Sequence, residues 1–218
     1  MILYGYFRSS AAYRVRIAMN LKGLKPEHHS IHLAKKMQFR DEYRAINPQG
    51  LVPYLIDDTD KHAGAFPLAQ SLAIIEYLND LYPQPPLLPT DPRERATARS
   101  IAQMIACDIH PLNNPKVLDT LTADFGITES QKTRWYCNWI SQGFTAIETM
   151  LAGRKIQSQF CVGDTPTIAD ICLIPQVTNA NRFKCCLDNF PRILEIYHHA
   201  MTLPAFDAAQ PSKQADAG

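Results

Sequence analysis

Residues 2–16 read ILYGYFRSSAAYRVR, and the architecture of the chain can be built outward from them. The run Ile2–Phe7 has the apolar and aromatic content of a strand. Ser9 and Ser10 follow it, and serine is favoured where a helix begins because its oxygen accepts hydrogen bonds from the N–H groups of the first turn. A helix is therefore predicted over about Ala11–Lys22, directly after the strand.

The predicted helix start also has the electrostatics of an anion site. The unpaired N–H groups and the dipole of a helix make its first turn attractive to negative charge. Arg8 stands just before this turn, and a guanidinium group binds carboxylates through paired hydrogen bonds. Two serine hydroxyls and an arginine in this position suit an anionic sulfur on one side and an organic acid on the other.

Alternating strand and helix signals continue to about residue 82. The predicted strands after the first are His29–Leu33, Val52–Ile56 and a short one near Ala65–Leu68, and the predicted helices are Asp41–Ile46 and one that follows Gln70-Ser71. The order is β-α-β-α-β-β-α, which predicts a four-stranded mixed sheet with helices packed against it.

A proline-rich stretch separates this pattern from a purely helical one. Five of the eleven residues 82–92 are proline, which cannot continue a helix and makes a semi-rigid spacer. Beyond it, capping signals at Thr128 and Thr167 open further helices. We therefore divide the chain into an α/β domain (1–82), a linker (83–92) and an all-helical domain (93–218). The tail after Phe206 is expected to fray.

Composition excludes several classes of partner. The 218 residues carry a formal net charge of +1, and no dense basic run suggests nucleic-acid binding. No apolar run approaches the roughly 20 residues that span a bilayer, and the chain starts with a strand signal rather than a targeting leader. We therefore expect a cytoplasmic protein with neither a membrane nor a nucleic-acid partner.

Neither the cysteines nor the histidines form a metal-binding pattern. The six cysteines have neither zinc nor redox spacing, so all six are expected to be reduced and mostly buried. His28, His29 and His32 lie in or directly before the predicted strand His29–Leu33, and side chains along a strand do not converge on one point. We therefore predict no metal site.

The order of these elements resembles the soluble glutathione transferases over nearly the whole chain. The segments that resemble the zeta class are Ser9-Ser10 with Arg14-Val15-Arg16-Ile17-Ala18, Asn47-Pro48-x-Gly50-x-Val52-Pro53, Gln70-Ser71 and Asn179-Ala180-Asn181-Arg182-Phe183. The zeta signature usually has a cysteine after the serine pair, whereas this chain has Ala11. The resemblance implies a thioredoxin-like N-terminal domain, a helical C-terminal domain, glutathione as cofactor and a symmetric homodimer.

The resemblance also implies a set of glutathione contacts. They are Ser9, Ser10, Ala11, Gln38, Val52, Pro53, Gln70 and Ser71 in the first domain and His110 and Asn114 in the second.

Chemistry suggests what some of these residues would do. Either Ser9 or Ser10 can donate a hydrogen bond to a thiolate; the resemblance favours Ser9. The backbone of Val52, before a cis Pro53, would pair with the cofactor like an added strand. A carboxylate would lie at the helix start beside Ser71.

Two tyrosines are rival thiolate donors. Tyr4 and Tyr6 fall on one face of the first strand, because side chains alternate along a strand. Some transferase classes use a tyrosine near this point. Core packing is nevertheless the commoner role for aromatic residues on a strand face, so we rank both below the serines.

The zeta class includes maleylacetoacetate and maleylpyruvate isomerases. The resemblance therefore implies conversion of maleylacetoacetate to fumarylacetoacetate by reversible thiolate addition, with Ser9, Ser10, Arg8 and Arg182 as the catalytic candidates. Arg8 and Arg182 would bind the two carboxylates of a small dicarboxylate substrate. The alternatives are isomerisation of maleylpyruvate, glutathione transfer to small α-haloacids, and a non-catalytic interaction module with the same fold.

Overall fold

The computed structural model describes residues 1–60, 62, 64–154 and 158–217, and the chain forms two compact units. The first unit contains Met1–Leu87 and the chain from Leu203 onward, and the second contains Leu88–Thr202. The predicted division, with 93–218 as one helical domain, is therefore wrong for its last part. We call residues 203–217 the C-terminal segment.

The first unit has the predicted order of strands and helices. Its elements are β1 (Ile2–Gly5), α1 (Ser10–Leu21), β2 (Glu27–Ser30), α2 (Asp41–Ile46), β3 (Tyr54–Asp57), β4 (Phe66–Ala69) and α3 (Ser71–Leu81). The prediction placed β2 too late in the chain, at His29–Leu33. Its true position follows from parallel pairing with β1, which sets Ile2 opposite Glu27 and Gly5 opposite Ser30.

The sheet order is β2-β1-β3-β4, with β1 and β2 parallel and the other pairs antiparallel. One face packs against α1 and α3 through a cluster of buried residues, namely Leu3, Val15, Met19, Leu55, Ile74 and Leu78. Because side chains alternate along a strand, Tyr4 and Tyr6 lie on the other face, in a cluster with Tyr43 of α2. The two rival tyrosines are thus buried packing residues.

Local sequence sets both ends of α1. The Ser9 hydroxyl accepts a hydrogen bond from the Ala12 N–H at 3.2 Å, as an N-cap does. At the other end Gly23 has φ +67°. The Leu24 N–H bonds to the Met19 carbonyl at 2.9 Å, which closes a Schellman motif. These ends confirm the predicted helix to within one residue.

The second unit consists of helices. They are α4 (Pro92–Gln103), a turn of π-helix at Met104–Ile109, α5 (Pro115–Phe125), α6 (Glu129–Ala152), α7 (Ile168–Arg182) and α8 (Pro191–Met201). Helix α7 is buried along most of its length and packs against α4 and α8. Among the described residues, no helix is long and apolar enough to cross a membrane.

The buried carboxylate of Asp170 serves the start of α7. It accepts hydrogen bonds from the Thr167 N–H at 2.8 Å and the Cys161 N–H at 2.7 Å. Burial raises the pKa of Asp170, although these hydrogen bonds act in the opposite direction. The Thr167–Asp170 pair is therefore a capping box that orders the core, as its spacing predicts.

One expectation about the cysteines is wrong. Cys137 of α6 and Cys185, which follows α7, form a disulfide with their Cα atoms 5.2 Å apart. Cys161 and Cys172 are free and buried, whereas Cys107 and Cys186 are free and exposed. The pairing joins positions 48 residues apart. It follows from the packing of the second unit and has no signature in sequence spacing.

The C-terminal segment is ordered, contrary to the expected fraying. Its helix α9 (Pro204–Ala208) packs on α1, and Phe206 is fully buried. The Tyr13 hydroxyl donates to the Phe206 carbonyl at 3.4 Å, and the Asn20 side chain donates to the Ala205 carbonyl at 2.9 Å. Tyr13 and Asn20 share one face of α1 because they are seven residues apart, and this face holds the segment.

Candidate active site

The register of the sheet brings three predicted contact segments to one end of the first unit. Tyr4 near the end of β1 lies opposite Tyr54 at the start of β3. Tyr54 in turn lies opposite Ala69 at the end of β4. The serine pair follows β1, Val52-Pro53 precedes β3 and Gln70-Ser71 follows β4. All three segments therefore emerge at the same end of the sheet.

The two serines differ in accessibility, which sequence leaves open. Ser9 is half-buried and caps α1, whereas Ser10 is the first helical residue and only 6% exposed. A serine hydroxyl that accepts one hydrogen bond still carries a hydrogen to donate. Ala11 is buried within the first turn. The exposed Arg8 guanidinium lies 4.9 Å from the centre of the Phe7 ring. Ser9 is thus the more exposed of the two serine residues.

The segment before β3 is held by buried polar groups. The Tyr43 hydroxyl and the Asn47 amide both donate to the Leu51 carbonyl, at 2.6 and 2.8 Å. The Val52–Pro53 peptide bond is cis, as the resemblance implies. Burial raises the pKa of Tyr43 to about 12, so this phenol stays protonated and remains a donor. The peptide group between Leu51 and Val52 is therefore held in place by the side chains of Tyr43 and Asn47.

Helix α3 begins at Ser71, which is 6% exposed. Gln70 before it has φ +72°, a conformation that is uncommon for a residue with a side chain. Its side-chain amide donates to the Gln49 oxygen at 3.0 Å. The Ser71 oxygen accepts a hydrogen bond from Arg14 of α1 at 3.3 Å. The start of α3 therefore combines helix N–H groups with a buried positive charge.

Gln38 lies in a turn of 3-10 helix between β2 and α2. Gly50 packs against it so closely that a Cβ at this position would lie 2.9 Å from the Gln38 carbonyl oxygen. The Gln38 Oε1 atom is buried and has no hydrogen-bond partner among the described residues. A buried acceptor without a donor is unfavourable and is relieved when a ligand supplies one.

Three predicted site residues belong to the second unit. His110 ends the π-helical turn, and Asn114 caps α5 by accepting from the Lys116 N–H at 3.0 Å. Arg182, the last residue of α7, is exposed and its guanidinium lies 4.8 Å from the centre of the Phe183 ring. The Phe183 ring stacks on Tyr136 at 3.7 Å. Burial raises the pKa of Tyr136, while the charge of Arg182 and a hydrogen bond with it act in the opposite direction.

Two arginines of the motif, Arg14 and Arg16, have structural roles that the sequence does not indicate. Arg14 is 1% exposed and reaches Ser71. Arg16 donates to three backbone carbonyls, of Tyr6, Phe7 and Ala209. Their position inside the motif was the available signal. Nothing in the sequence indicates their partners, of which Ser71 and Ala209 lie far along the chain.

An α/β unit that gathers a serine-capped helix, a cis-proline segment and a second helix start is typical of the thioredoxin-like transferases. The chain belongs to the glutathione S-transferase family. The model of its N-terminal domain matches residues 3–86, and the model of its C-terminal domain matches residues 117–208.

Relatives within the family extend over the whole chain. A probable maleylacetoacetate isomerase from Vibrio cholerae is 45% identical, with 100% of this chain and 98% of the relative covered. A zeta-class maleylpyruvate isomerase solved in its holo form is 42% identical with a TM-score of 0.94, and both chains are fully covered. Maleylacetoacetate isomerase from Methylobacterium extorquens AM1, solved with malonate and glutathione, is 38% identical with a TM-score of 0.93 and full coverage of both chains.

Proposed function

We propose that this protein is a glutathione-dependent cis-trans isomerase that converts maleylacetoacetate to fumarylacetoacetate. The observation that carries the proposal is the half-buried Ser9, whose side chain caps the N-terminus of α1. It emerges at the same end of the sheet as the two segments that suit a bound tripeptide. The similarity to full-length maleylacetoacetate isomerases supports the choice of reaction.

The residues present fit glutathione. The N–H groups at the start of α3, together with Ser71 and the buried Arg14 charge, suit the γ-glutamyl carboxylate. The backbone of Val52, next to the cis Pro53, suits the amide groups of the cysteinyl residue. The Gln38 Oε1 atom, which has no partner within the described part of the chain, suits an N–H donor. Gln70, and His110 and Asn114 of the second unit, complete the proposed contacts.

When bound, glutathione supplies a thiolate that adds reversibly to the cis double bond and so allows rotation about it. The task of the chain is to keep that sulfur ionised. Ser9 donates its O–H toward the sulfur, while the α1 N–H groups provide a positive potential. Ser10 and Ala11 complete the first turn. No second thiol is available at position 11, where Ala11 stands.

The proposed substrate clamps are Arg8 and Arg182. Maleylacetoacetate carries a carboxylate at each end, and guanidinium groups bind carboxylates through two parallel hydrogen bonds. Both side chains are exposed, and each guanidinium lies over a neighbouring aromatic ring. Stacking on Phe7 and Phe183 limits the rotamers of the two arginines, which reduces the entropy lost when a carboxylate binds.

The decisive experiment is turnover with very little glutathione. The purified protein is given maleylacetoacetate with glutathione at one hundredth of its concentration, and loss of substrate absorbance is followed. We expect complete conversion with glutathione unchanged at the end. Consumption of one glutathione per substrate would instead indicate a transferase. A wild-type protein that is retained on a glutathione matrix but shows no turnover would indicate a binding module, provided that Ser71→Ala abolishes the retention.

Maleylpyruvate is the second candidate substrate, because a maleylpyruvate isomerase is 42% identical over the whole chain. The chemistry is the same on a shorter diacid. A direct comparison of kcat/KM on the two substrates decides between them, and we expect the higher value with maleylacetoacetate. Dehalogenation of a small α-haloacid, measured as halide release, tests the remaining enzymatic alternative.

We further propose that the protein is a cytoplasmic homodimer. A cytoplasmic location suits the cofactor, because glutathione is kept mainly reduced there. Strand β4 is an edge of the sheet, and Phe66 on it is 47% exposed. An edge strand with an exposed aromatic side chain is a surface that a second copy can cover. Light scattering tests the dimer, and Phe66→Glu is expected to shift the measured mass toward the monomer.

A further inference from the structure

The turn that joins β1 to α1 is held by hydrogen bonds to its backbone. The Ser9 N–H donates to the Tyr6 carbonyl at 3.0 Å, which closes the turn. The Arg16 guanidinium donates to the carbonyls of Tyr6 and Phe7, at 3.4 and 3.1 Å. Burial lowers the pKa of Arg16 to about 10, so it keeps its charge at neutral pH. The helix that Ser9 caps thus also holds the turn that leads to Ser9.

The remaining polar group of Phe7 is bound by the far end of the chain. The Phe7 N–H donates to Asp216 Oδ2 at 3.1 Å, and the Ser30 hydroxyl donates to the same oxygen at 2.7 Å. The Arg16 Nε also donates to the Ala209 carbonyl at 3.1 Å. The C-terminal segment is therefore tied both to the turn and to the arginine that holds the turn.

Packing alone does not account for this contact. A cavity of about 140 Å³ lies between the C-terminal segment and β1, and Tyr6, Phe7, Ala12 and Asp216 contribute to its lining. The side chains of the turn are held by packing, since Tyr6 is buried and Phe7 packs against the same cluster. The peptide plane of Phe7 is held by directed hydrogen bonds to its N–H and its carbonyl. Phe7 is only two residues before Ser9, so a tilt of its peptide plane moves the Ser9 hydroxyl.

We propose that Asp216 is a positioning residue for catalysis: through the Phe7 N–H it fixes the turn that aims Ser9 at the bound sulfur. The inference rests on the proposed role of Ser9. Misplacement of a reacting group by about 1 Å can cost a hundredfold in rate. A contact two residues from Ser9 therefore affects the rate without touching cofactor or substrate. Arg16 shares the task, but its three bonds make its loss a general structural defect.

The test compares Asp216→Ala with Asp216→Asn, because the asparagine oxygen can still accept from the Phe7 N–H. We expect Asp216→Ala to lower kcat about tenfold and to shift the acidic limb of the kcat/KM pH profile upward, as the bound thiol becomes harder to ionise. The KM for glutathione should change less than twofold, because the α3 contacts are intact. Asp216→Asn should keep at least half of the wild-type kcat.

Two matched controls separate positioning from general stability. Ser30→Ala removes the other bond to Asp216 and leaves the Phe7 contact. Asp207→Ala removes an acid that binds Lys213 and Gln210 within the C-terminal segment. Both controls should keep the wild-type pH profile. Hydrogen exchange of the Phe7 amide, measured by NMR, should be protected in the wild type and accelerated in Asp216→Ala even if that variant is less stable.

The outcomes are distinguishable from failure of the proposed function. If Ser9→Ala abolishes the pH-dependent activity while Asp216→Ala keeps wild-type kcat and pH profile, the positioning role is wrong and the serine assignment stands. If Ser9→Ala is as active as wild type, the serine assignment itself fails. A loss in Ser30→Ala equal to that in Asp216→Ala, or an Asp216→Asn as impaired as the alanine variant, would also overturn the positioning role.

Discussion

The buried guanidinium of Arg14 donates a hydrogen bond from Nη1 to the Ser71 hydroxyl oxygen at 3.3 Å. Arg14 lies in α1 and Ser71 starts α3. The bond therefore joins the helix that carries the proposed thiolate donor to the helix that would hold the cofactor carboxylate. A charge that is 1% exposed costs free energy to bury, and an anion at the α3 start would offset that cost.

The first prediction concerns this bond. Replacing Arg14 with methionine, which keeps the volume and removes the charge, should raise the KM for glutathione about tenfold. A tenfold change corresponds to ~1.4 kcal/mol, close to the lower end of the ~1.5–3 kcal/mol that a hydrogen bond to a charged group contributes. The change in kcat should be smaller. Steady-state kinetics at saturating diacid measure both constants. Ser71→Ala should raise the KM less in the Arg14→Met background than in the wild type, because the bond between the two residues is already lost there. Fully additive losses would mean that the two residues act separately.

The second prediction distinguishes the two serines. Ser9→Ala should lower kcat/KM at least a hundredfold, because it removes a donor to a developing charge as well as the cap of α1. Ser10→Ala should change kcat/KM by less than a factor of five, since Ser10 is only 6% exposed and is the first residue of α1 rather than its cap. Thermal unfolding of both variants checks that the difference is not one of folding. The reverse ranking would assign the thiolate to Ser10.

The third prediction concerns the diacid. Arg8→Met and Arg182→Met should each raise the KM for the diacid at least tenfold and leave the KM for glutathione unchanged. The lysine variants should recover only part of the loss, because an ammonium group lacks the paired donors of a guanidinium. Arg93→Met is a suitable control, since this exposed arginine near the start of α4 is outside the proposed site. Equal effects on both substrates would remove either arginine from the clamp.

The fourth prediction tests the disulfide. Reduction of the Cys137–Cys185 bond should lower the free energy of unfolding by ~2–4 kcal/mol, because the bond closes a long loop in the unfolded chain. Differential scanning fluorimetry with and without dithiothreitol should show a lower Tm for the reduced wild type. Cys137→Ser should have the lower Tm under both conditions. Cys107→Ser, which removes an exposed free thiol, should behave like the wild type.

The fifth prediction is a pH dependence of stability. Burial acts to raise the pKa of Asp57, but hydrogen bonds from Thr59 and the Tyr77 hydroxyl outweigh it and hold this pKa below 3.8. A carboxyl with a lowered folded pKa stabilises the protein above its unfolded pKa, and this contribution is lost as the pH falls through the folded value.

Urea unfolding at pH 6 and pH 3 measures this contribution. The stability of the wild type should fall more steeply over this interval than that of Asp57→Asn, which has no carboxyl to protonate. Asp119→Asn, on an exposed face of α5, serves as the control and should keep the wild-type slope. Parallel slopes for the wild type and Asp57→Asn would show that other groups govern acid unfolding.

Much of the first unit was predictable because its signals are local. The serine cap, the glycine after α1 and the capping boxes of α6 and α7 act over a few residues, so reading the chain locates them. Strand boundaries were less accurate. The position of β2 is set by its pairing with β1, and the residue types within β2 do not indicate that register.

Part of the candidate site could likewise be predicted from the sequence, and part depends on the tertiary structure. The motifs were sufficient to predict Ser9, Val52-Pro53 and Gln70-Ser71 as site residues. That these segments lie at the same end of the sheet depends on the pairing of β1, β3 and β4. The difference in exposure between Ser9 and Ser10 was not legible, because both precede the helix and both are serine. Ser9 has extended backbone angles and caps the helix, whereas Ser10 is its first residue and is buried.

Sequence was thus sufficient for the class of fold, the helix starts and the chemistry of the serine pair, since each depends on neighbours along the chain. The Arg14–Ser71 bond, the Cys137–Cys185 disulfide and the docking of Asp216 on Phe7 were settled by three-dimensional packing. These contacts join residues between 48 and 209 positions apart. Such separations leave no periodicity or spacing in the sequence, because the partners meet only after the helices and the sheet have packed.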